Sequence, residues 1–264
     1  MRVYLINLER RKDRLKAMEE QAARLGLDLE RIVALDAGTA DRDAVNGRFA
    51  EWFAKTGPLG EIPAGDKACL LSHRTAWERF AISGDAHAVF LEDDVRLSKA
   101  AGRMLASDAW IPAGAEVVKL EHYGPPGQRV LLTDIHAAGG GFQMGRMLSR
   151  HTGGAAYILS RKAAGLLLAE TCFDLAVDHL LFNPNNSKMF ARLAPWQLLP
   201  AIARQQEFVG EKSDIEKTRA RLRSFGSTYV RRELVRFGYD LKLGPRQIAA
   251  LLSGAKFVAM KVAD

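Results

Sequence analysis

Val3-Tyr4-Leu5-Ile6 and Leu29-Glu30-Arg31-Ile32-Val33-Ala34-Leu35 flank a charged stretch, Arg10 to Leu25, in which Leu15, Met18, Ala22 and Leu25 recur at helical spacing before Gly26. The two outer runs read as strands. The stretch between them reads as an amphipathic helix ended by its glycine. A strand–helix–strand unit joins parallel neighbours, because two parallel strands need a crossover between them. The chain therefore opens as an α/β fold with a mostly parallel sheet flanked by helices.

Working outward, Lys67 to Ser83 reads as a further helix, carrying Leu70, Leu71, Ala76, Trp77 and Phe80. It leads into Ala88-Val89-Phe90-Leu91, an apolar run that meets Glu92-Asp93-Asp94 before Val95. Three adjacent like charges repel, so stability alone does not explain them. Ligands in open α/β sheets bind outside the carboxyl ends of strands. Carboxylates at such a point suit a hard cation, Mg²⁺ or Mn²⁺, which in turn binds phosphates. The competing reading is an acidic surface turn. Side chains alternate along an extended chain, so Glu92 and Asp94 point one way and Asp93 the other. Asp94 is thus the first choice for metal ligand, with Glu92 beside it; a sharp turn would put Asp93 there instead. A phosphatase of the haloacid-dehalogenase type needs an aspartate nucleophile where Glu92 stands, which argues against that chemistry.

The remaining elements are coarser. Asp41 to Ala54 reads as a helix and Gly57 to Gly65 as a loop. Val117 to Leu120 and Ala155 to Leu159 read as strands, and Arg161 to Thr171 as a helix. Tyr123 to Arg150 reads as a long irregular loop, with Gly139-Gly140-Gly141 as the hinge of a lid. Asp178 and His179 sit inside the apolar segment Ala176 to Phe182. A carboxylate there costs desolvation unless it has a partner or a task, which makes Asp178 a candidate proton acceptor, with His179 as the alternative. His73, on a largely apolar helix, reads as a satisfied core histidine.

The 264 residues are 48% hydrophobic and 26% charged, an ordinary globular composition. Cys69 and Cys172, both in apolar surroundings, suggest two buried thiols in a reducing compartment rather than a disulfide. Neither a signal peptide nor a spanning segment is evident, so a cytoplasmic protein is expected. The net charge of +7 is unevenly spread: Lys217 to Asp264 holds eleven Lys/Arg against three Asp/Glu, leaving 27 against 28 before it. A uniformly basic nucleic-acid binder would not look like this. The chain is accordingly divided into a body, 1–215, and a basic helical C-terminal extension, 216–264. Ile215 to Phe237 reads as predominantly helical, and Pro245 is expected to open a last helix with Ile248, Leu251, Leu252, Ala255 and Val258 largely on one side. Such a segment is expected to lie on an anionic membrane surface, at about 1 kcal/mol per basic residue. The plainer reading is a solvated helix pair packed on the body.

Several of these segments, in this order, resemble those of glycosyltransferase family 25, the lipooligosaccharide glycosyltransferases. They are Asn7-Leu8-Glu9-Arg10-Arg11-Lys12-Asp13-Arg14; Cys69-Leu70-Leu71-Ser72-His73 with Trp77; Leu91-Glu92-Asp93-Asp94; Ala156-Tyr157-Ile158-Leu159-Ser160; Val177-Asp178; and Ser213-Asp214-Ile215. Two departures are the stretch Gly60 to Ala68 before the cysteine, where a Gly-Glu pair is usual, and Ala176, where proline is common. The resemblance implies a GT-A-like fold, a nucleotide-sugar donor with UDP-galactose as default, and Mn²⁺ or Mg²⁺. It also implies transfer with inversion to a lipopolysaccharide or lipooligosaccharide acceptor, at the inner face of the cell membrane. On that basis Asp94 and Glu92 are expected at the metal, and Asn7, Arg10, Arg14, Asp36, Glu92 and Asp93 at the donor. Asp178 is then expected to act as the base on the acceptor hydroxyl. The alternatives are an inactive nucleotide-sugar-binding protein or a membrane-docked scaffold.

Overall fold

A computed structural model describes residues 1–50, 62–125, 127–205, 238, 241 and 243–264. The opening unit is β1 (Arg2–Leu8), α1 (Lys12–Leu25) and β2 (Leu29–Ala34), with β1 and β2 parallel from Val3 opposite Leu29 to Leu8 opposite Ala34. Gly26 ends α1 in the left-handed region, and its N–H returns to the carbonyls of Ala22 and Ala23. After α2 (Arg42–Asn46) and α3 (Ala64–Ala81) comes β3 (His87–Glu92), which pairs with the other side of β1 in parallel, Ile6 opposite Glu92.

Then follow β4 (Val95–Leu97), α4 (Ala101–Leu105), β5 (Val117–Lys119), β6 (Glu121–His122), β7 (Arg129–Gly139), β8 (Phe142–Met147), β9 (Ala156–Ser160), α5 (Arg161–Leu168), α6 (Val177–Phe182), α7 (Lys188–Leu193), β10 (Trp196–Leu199), β11 (Ala203–Gln205) and β12 (Lys256–Ala259). Nine strands form one sheet in the order β12-β7-β8-β10-β5-β9-β3-β1-β2, and β4-β11-β6 form a small second sheet. In the large sheet β1, β2, β3, β5, β7 and β10 run one way and β8, β9 and β12 the other. This is the mostly parallel α/β sheet flanked by helices that the sequence predicts.

Both faces of the sheet are covered, which is why its central strands read as continuous apolar runs. On one face Tyr4, Ile6, Ala88, Phe90, Tyr157 and Leu159 pack with Leu70, Trp77 and Phe80 of α3 and with α5 and α6. On the other, Val3, Leu5, Val89, Leu91 and Ile158 pack with Met18 of α1, with α4 and with the small sheet. Tyr4, Phe90 and Tyr157 stack in a row, at centroid separations of 5.5 and 5.3 Å.

Several expectations are corrected. The stretch read as an irregular loop with a glycine hinge is the β7–β8 hairpin. Gly139, Gly140 and Gly141 form its turn, with φ of 79°, 59° and 85°. The strand signal was lost because register shifts between Thr133 and His136, and between Ala137 and Gly139, break the alternation of β7. Cys172 is exposed, and Cys69 is half-buried. The last helix stops at 252, and the chain returns as β12, paired with β7 at the sheet edge. Of the helix expected over Asp41 to Ala54, Arg42–Asn46 is helical, capped by Asp41. Its end, most of the Gly57–Gly65 loop, the helix over Ile215 to Phe237, Ser213-Asp214-Ile215 and the 215/216 boundary lie outside the described residues. Among the described residues no helix is long and apolar enough to cross a membrane.

Gly102, in α4, faces the end of α1 so closely that a Cβ there would be driven into the Leu25 carbonyl oxygen. Gly102→Ala is expected to lower unfolding free energy by about 1–3 kcal/mol, the usual cost of overpacking, as read from the urea midpoint. An unchanged midpoint would mean that the two helices are not held this close.

Candidate functional site

Strand alternation sorts the acidic triplet between the two faces of the sheet. Glu92 follows Ala88 and Phe90 onto the α3 face, and Asp93 follows Val89 and Leu91 onto the α1 face. Asn7 is in phase with Val3 and Leu5, on that same α1 face. Its Nδ2 donates to Asp93 Oδ2 at 2.8 Å, and Arg14 of α1 donates to Asp93 Oδ1 at 3.0 Å. Arg31 in turn donates to Asn7 Oδ1 at 3.0 Å. Both oxygens of Asp93 are therefore held by the frame.

Asp94 lies just past the strand. Its Oδ2 is 3.9 Å from the same Arg14 nitrogen, and its Oδ1 is buried without a hydrogen-bond partner. Burial, and next the nearby Glu92 carboxylate, push the Asp94 carboxyl well above the usual range. A buried carboxylate oxygen with no donor is costly to leave so. A divalent cation would satisfy it, so these residues fit the metal that the sequence implies.

Glu92 faces α3. Its Oε1 is 3.2 Å from His73 Nε2 and 3.8 Å from Cys69 Sγ, and the three ligating atoms lie within 4.8 Å of one another. His73 is fully buried, and burial pushes its imidazole down to about 3, so it is neutral. Its Nδ1 is 2.7 Å from the Tyr157 hydroxyl, which accepts from Trp77 Nε1 at 2.9 Å. Ser72 ties the same helix to the sheet: its hydroxyl accepts from Leu35 N at 2.8 Å.

At this same edge of the sheet a loop, 153–155, links the acids to Asp178. Glu92 N donates to Ala155 O at 2.8 Å, and Ala155 N donates to Glu121 Oε1 at 2.9 Å. Lys119, buried with Glu121, donates to it at 2.8 Å and also to Gly153 O. Gly153 N faces Asp178 Oδ2 at 3.5 Å, and Asp178 Oδ1 accepts from His179 N at 2.8 Å. Lys119 Nζ stands 4.4 Å from the Phe182 ring centroid. Its pKa is lowered by burial, against the pull of Glu121.

The structure thus brings Asn7, Arg14, Glu92, Asp93 and Asp94 together, with Asp178 reached through the 153–155 loop. Arg10 and Asp36 pair with each other at 2.7 Å nearer solvent, beyond the end of β2. Sequence reasoning gave no place to Lys119 or Glu121. Glu121 carried the same signal as Asp178, a carboxylate beside an apolar run. His73 is the satisfied core histidine it was read as, buried and bonded to Tyr157 and Glu92.

The profile of glycosyltransferase family 25, described as an LPS biosynthesis protein family, matches residues 1–181. The chain belongs to glycosyltransferase family 25. It is similar to the lacto-N-neotetraose biosynthesis glycosyltransferase LgtB of Neisseria meningitidis serogroup A, 32% identical over 155 residues, or 53% of each chain. It is also similar to the lipooligosaccharide biosynthesis protein lic2B of Haemophilus influenzae, 25% identical over 167 residues, 55% of this chain and 56% of that one. The chain spans about half the length of these curated relatives. A solved glycosyltransferase involved in glycosylation of the major capsid of PBCV-1 aligns with 90% of this chain and 100% of its own, at a TM-score of 0.39 and 9% identity.

Within this family 25 chain the Lys119–Glu121 pair is expected to be structural. Lys119→Met leaves Glu121 buried and uncompensated, so it should cost about 3–5 kcal/mol in urea unfolding. A loss below 1 kcal/mol would show that the pair does not hold the loop.

Proposed function

We propose that this chain is a metal-dependent hexosyltransferase. It moves a sugar, galactose by default, from a UDP-sugar to a lipopolysaccharide, lipooligosaccharide or related glycan, with inversion. The observation that carries this reading is the unpartnered Oδ1 of Asp94 beside Glu92, at the carboxyl end of a sheet strand in a family 25 chain. Asp94 and Glu92 would hold Mn²⁺ or Mg²⁺, which when bound neutralises charge on the leaving diphosphate. Asn7 and Arg14 fix Asp93 and so the turn that presents Asp94. Asn7, Arg14 and Asp93, with Arg10 and Asp36 farther out, form the side from which the nucleotide approaches. Asp178 takes the proton of the acceptor hydroxyl as its oxygen attacks the anomeric carbon and the bond to diphosphate breaks on the opposite face. The intact carboxylates disfavour an inactive sugar-nucleotide binder.

Asp94→Ala should reduce transfer from UDP-galactose in Mn²⁺ to background while the fold is kept, and chelation should do the same to the unaltered protein. Activity that survives either treatment would exclude the metal site. Asp178→Asn should lower kcat by about 10²–10⁴-fold, the range for general acid–base groups, with donor KM little changed. An unaltered kcat would remove Asp178 from the role.

We also propose peripheral attachment to the inner face of the cell membrane. Support comes from the basic excess after Lys217 and from Ile248 and Leu252, which are 60% and 86% exposed on the helical stretch 243–252. The double variant Ile248→Ser/Leu252→Ser should lose most sedimentation with phosphatidylglycerol vesicles and keep its thermal midpoint. Equal binding by variant and parent would end this reading.

A further inference from the structure

The segment Cys69 to Trp77 fills the core, but the direction of its hydrogen bonds says more. The Trp77 indole can only donate, and its acceptor is the Tyr157 hydroxyl at 2.9 Å. At the other end an ionised Glu92 can only accept, and His73 Nε2 faces its Oε1 at 3.2 Å. A neutral imidazole has one N–H. If that hydrogen sat on Nδ1, the Nε2 lone pair would face the carboxylate and the Tyr157 hydrogen would lack its acceptor. With the hydrogen on Nε2 every group is satisfied: Trp77 donates to Tyr157, Tyr157 to His73 Nδ1, and His73 to Glu92. Trp77, Tyr157 and His73 are each fully buried, so the bonds among them are shielded from water, while the Glu92 end is half-buried.

We propose that Trp77, Tyr157 and His73 form a one-directional relay that fixes the orientation of the Glu92 carboxylate, making His73 and Tyr157 positioning residues for the metal-and-donor site. The functional part rests on the transferase reading above; the relay itself rests on geometry alone. The stacking of His73 on Tyr157, at 5.6 Å between centroids, holds the imidazole plane and so the line of its Nε2–H. Side chains that orient a metal ligand in this way typically contribute 10–100-fold to metal affinity.

Two measurements on the full chain test the two parts separately. The first is the ¹⁵N–¹H correlation spectrum of the histidine-labelled protein, with the His73 signals assigned from their loss in His73→Gln. The expected result is the Nε2–H tautomer, and an Nδ1–H tautomer overturns the relay whatever the activity. The second is Mn²⁺ binding in the presence of UDP. His73→Leu, which keeps the site apolar and filled, should weaken Mn²⁺ binding about 10–100-fold, and Tyr157→Phe should weaken it in the same direction. His73→Gln, with a carbonyl for Tyr157 and an N–H for Glu92, should recover most of the loss. A merely structural role would lower the folded fraction and leave affinity in the folded remainder unchanged. A change below tenfold in His73→Leu therefore overturns the positioning role. A parent protein that binds no Mn²⁺ with UDP overturns the transferase reading and with it the positioning role. The relay is then decided by the tautomer.

Discussion

Side-chain alternation at the end of β3 is the constraint on which the site depends. Successive residues of a pleated strand leave on opposite faces, so Glu92 and Asp93 part to the two sides of the sheet. Each meets a different environment. Glu92 meets neutral donors on α3, and Asp93 meets Asn7 and Arg14 on the β1–α1 side. Asp94, past the strand, lies near both. The repulsion within the triplet is offset at Asp93 by Asn7 and Arg14 and persists at Asp94, whose carboxyl burial and Glu92 push up. A slip of one residue in β3 would send Asp93 towards the buried imidazole and Glu92 towards Arg14, and would empty both arrangements.

Charge balance around this edge follows from the same geometry. Glu92, Asp93, Asp94, Glu121 and Asp178 gather there, with Arg14 on one side of the sheet and Lys119 on the other. Arg14 is committed to Asp93. Lys119 is committed to Glu121 and to the carbonyl of Gly153. Asp94 is left as the carboxyl that burial and its neighbours push up. The deficit of positive charge falls at the mouth of the strand ends, where a divalent ion would offset it. Inside, each cation is fixed by the frame and cannot move to compensate.

What was legible in the sequence was what burial on both faces imposes. Val3 to Ile6 and Ala88 to Leu91 are apolar because helices cover both faces of those strands, whereas β2, at the sheet edge, keeps Glu30 and Arg31 and leaves Val33 exposed, and Gly26 ends α1 because only a residue tolerant of positive φ closes that turn. The β7–β8 hairpin was hidden by its own irregularities: Asp134 takes φ of 53°, and two register shifts scramble the period that marks a strand. Glu121 showed a carboxylate beside an apolar run but not its partner. It joins the site through a bond to Ala155 N from a distant part of the chain, and pairing across such a separation leaves no local period. His73, read as a satisfied core histidine, is one: it is fully buried and both ring nitrogens have partners, Tyr157 and Glu92.

The stripe Cys69, His73, Trp77 and Phe80 on α3 shows how core and site merge. Phe80 meets Phe90 edge-on at 5.9 Å, where the interior is wholly apolar. One turn earlier, Trp77 and Tyr157 bring rings that pack as hydrophobes and tips that must find partners when buried. One turn earlier again, His73 meets the carboxylate. Polarity therefore rises stepwise along one helix face toward the strand ends, and each step is a residue with an apolar body and a polar tip. Phenylalanine in place of Tyr157 would fill nearly the same space but leave the His73 Nδ1 without its hydroxyl partner. Phe80 and Tyr157 pack against Phe90, while Trp77 and His73 both meet the Tyr157 hydroxyl, so packing and polar contacts meet on one helix face.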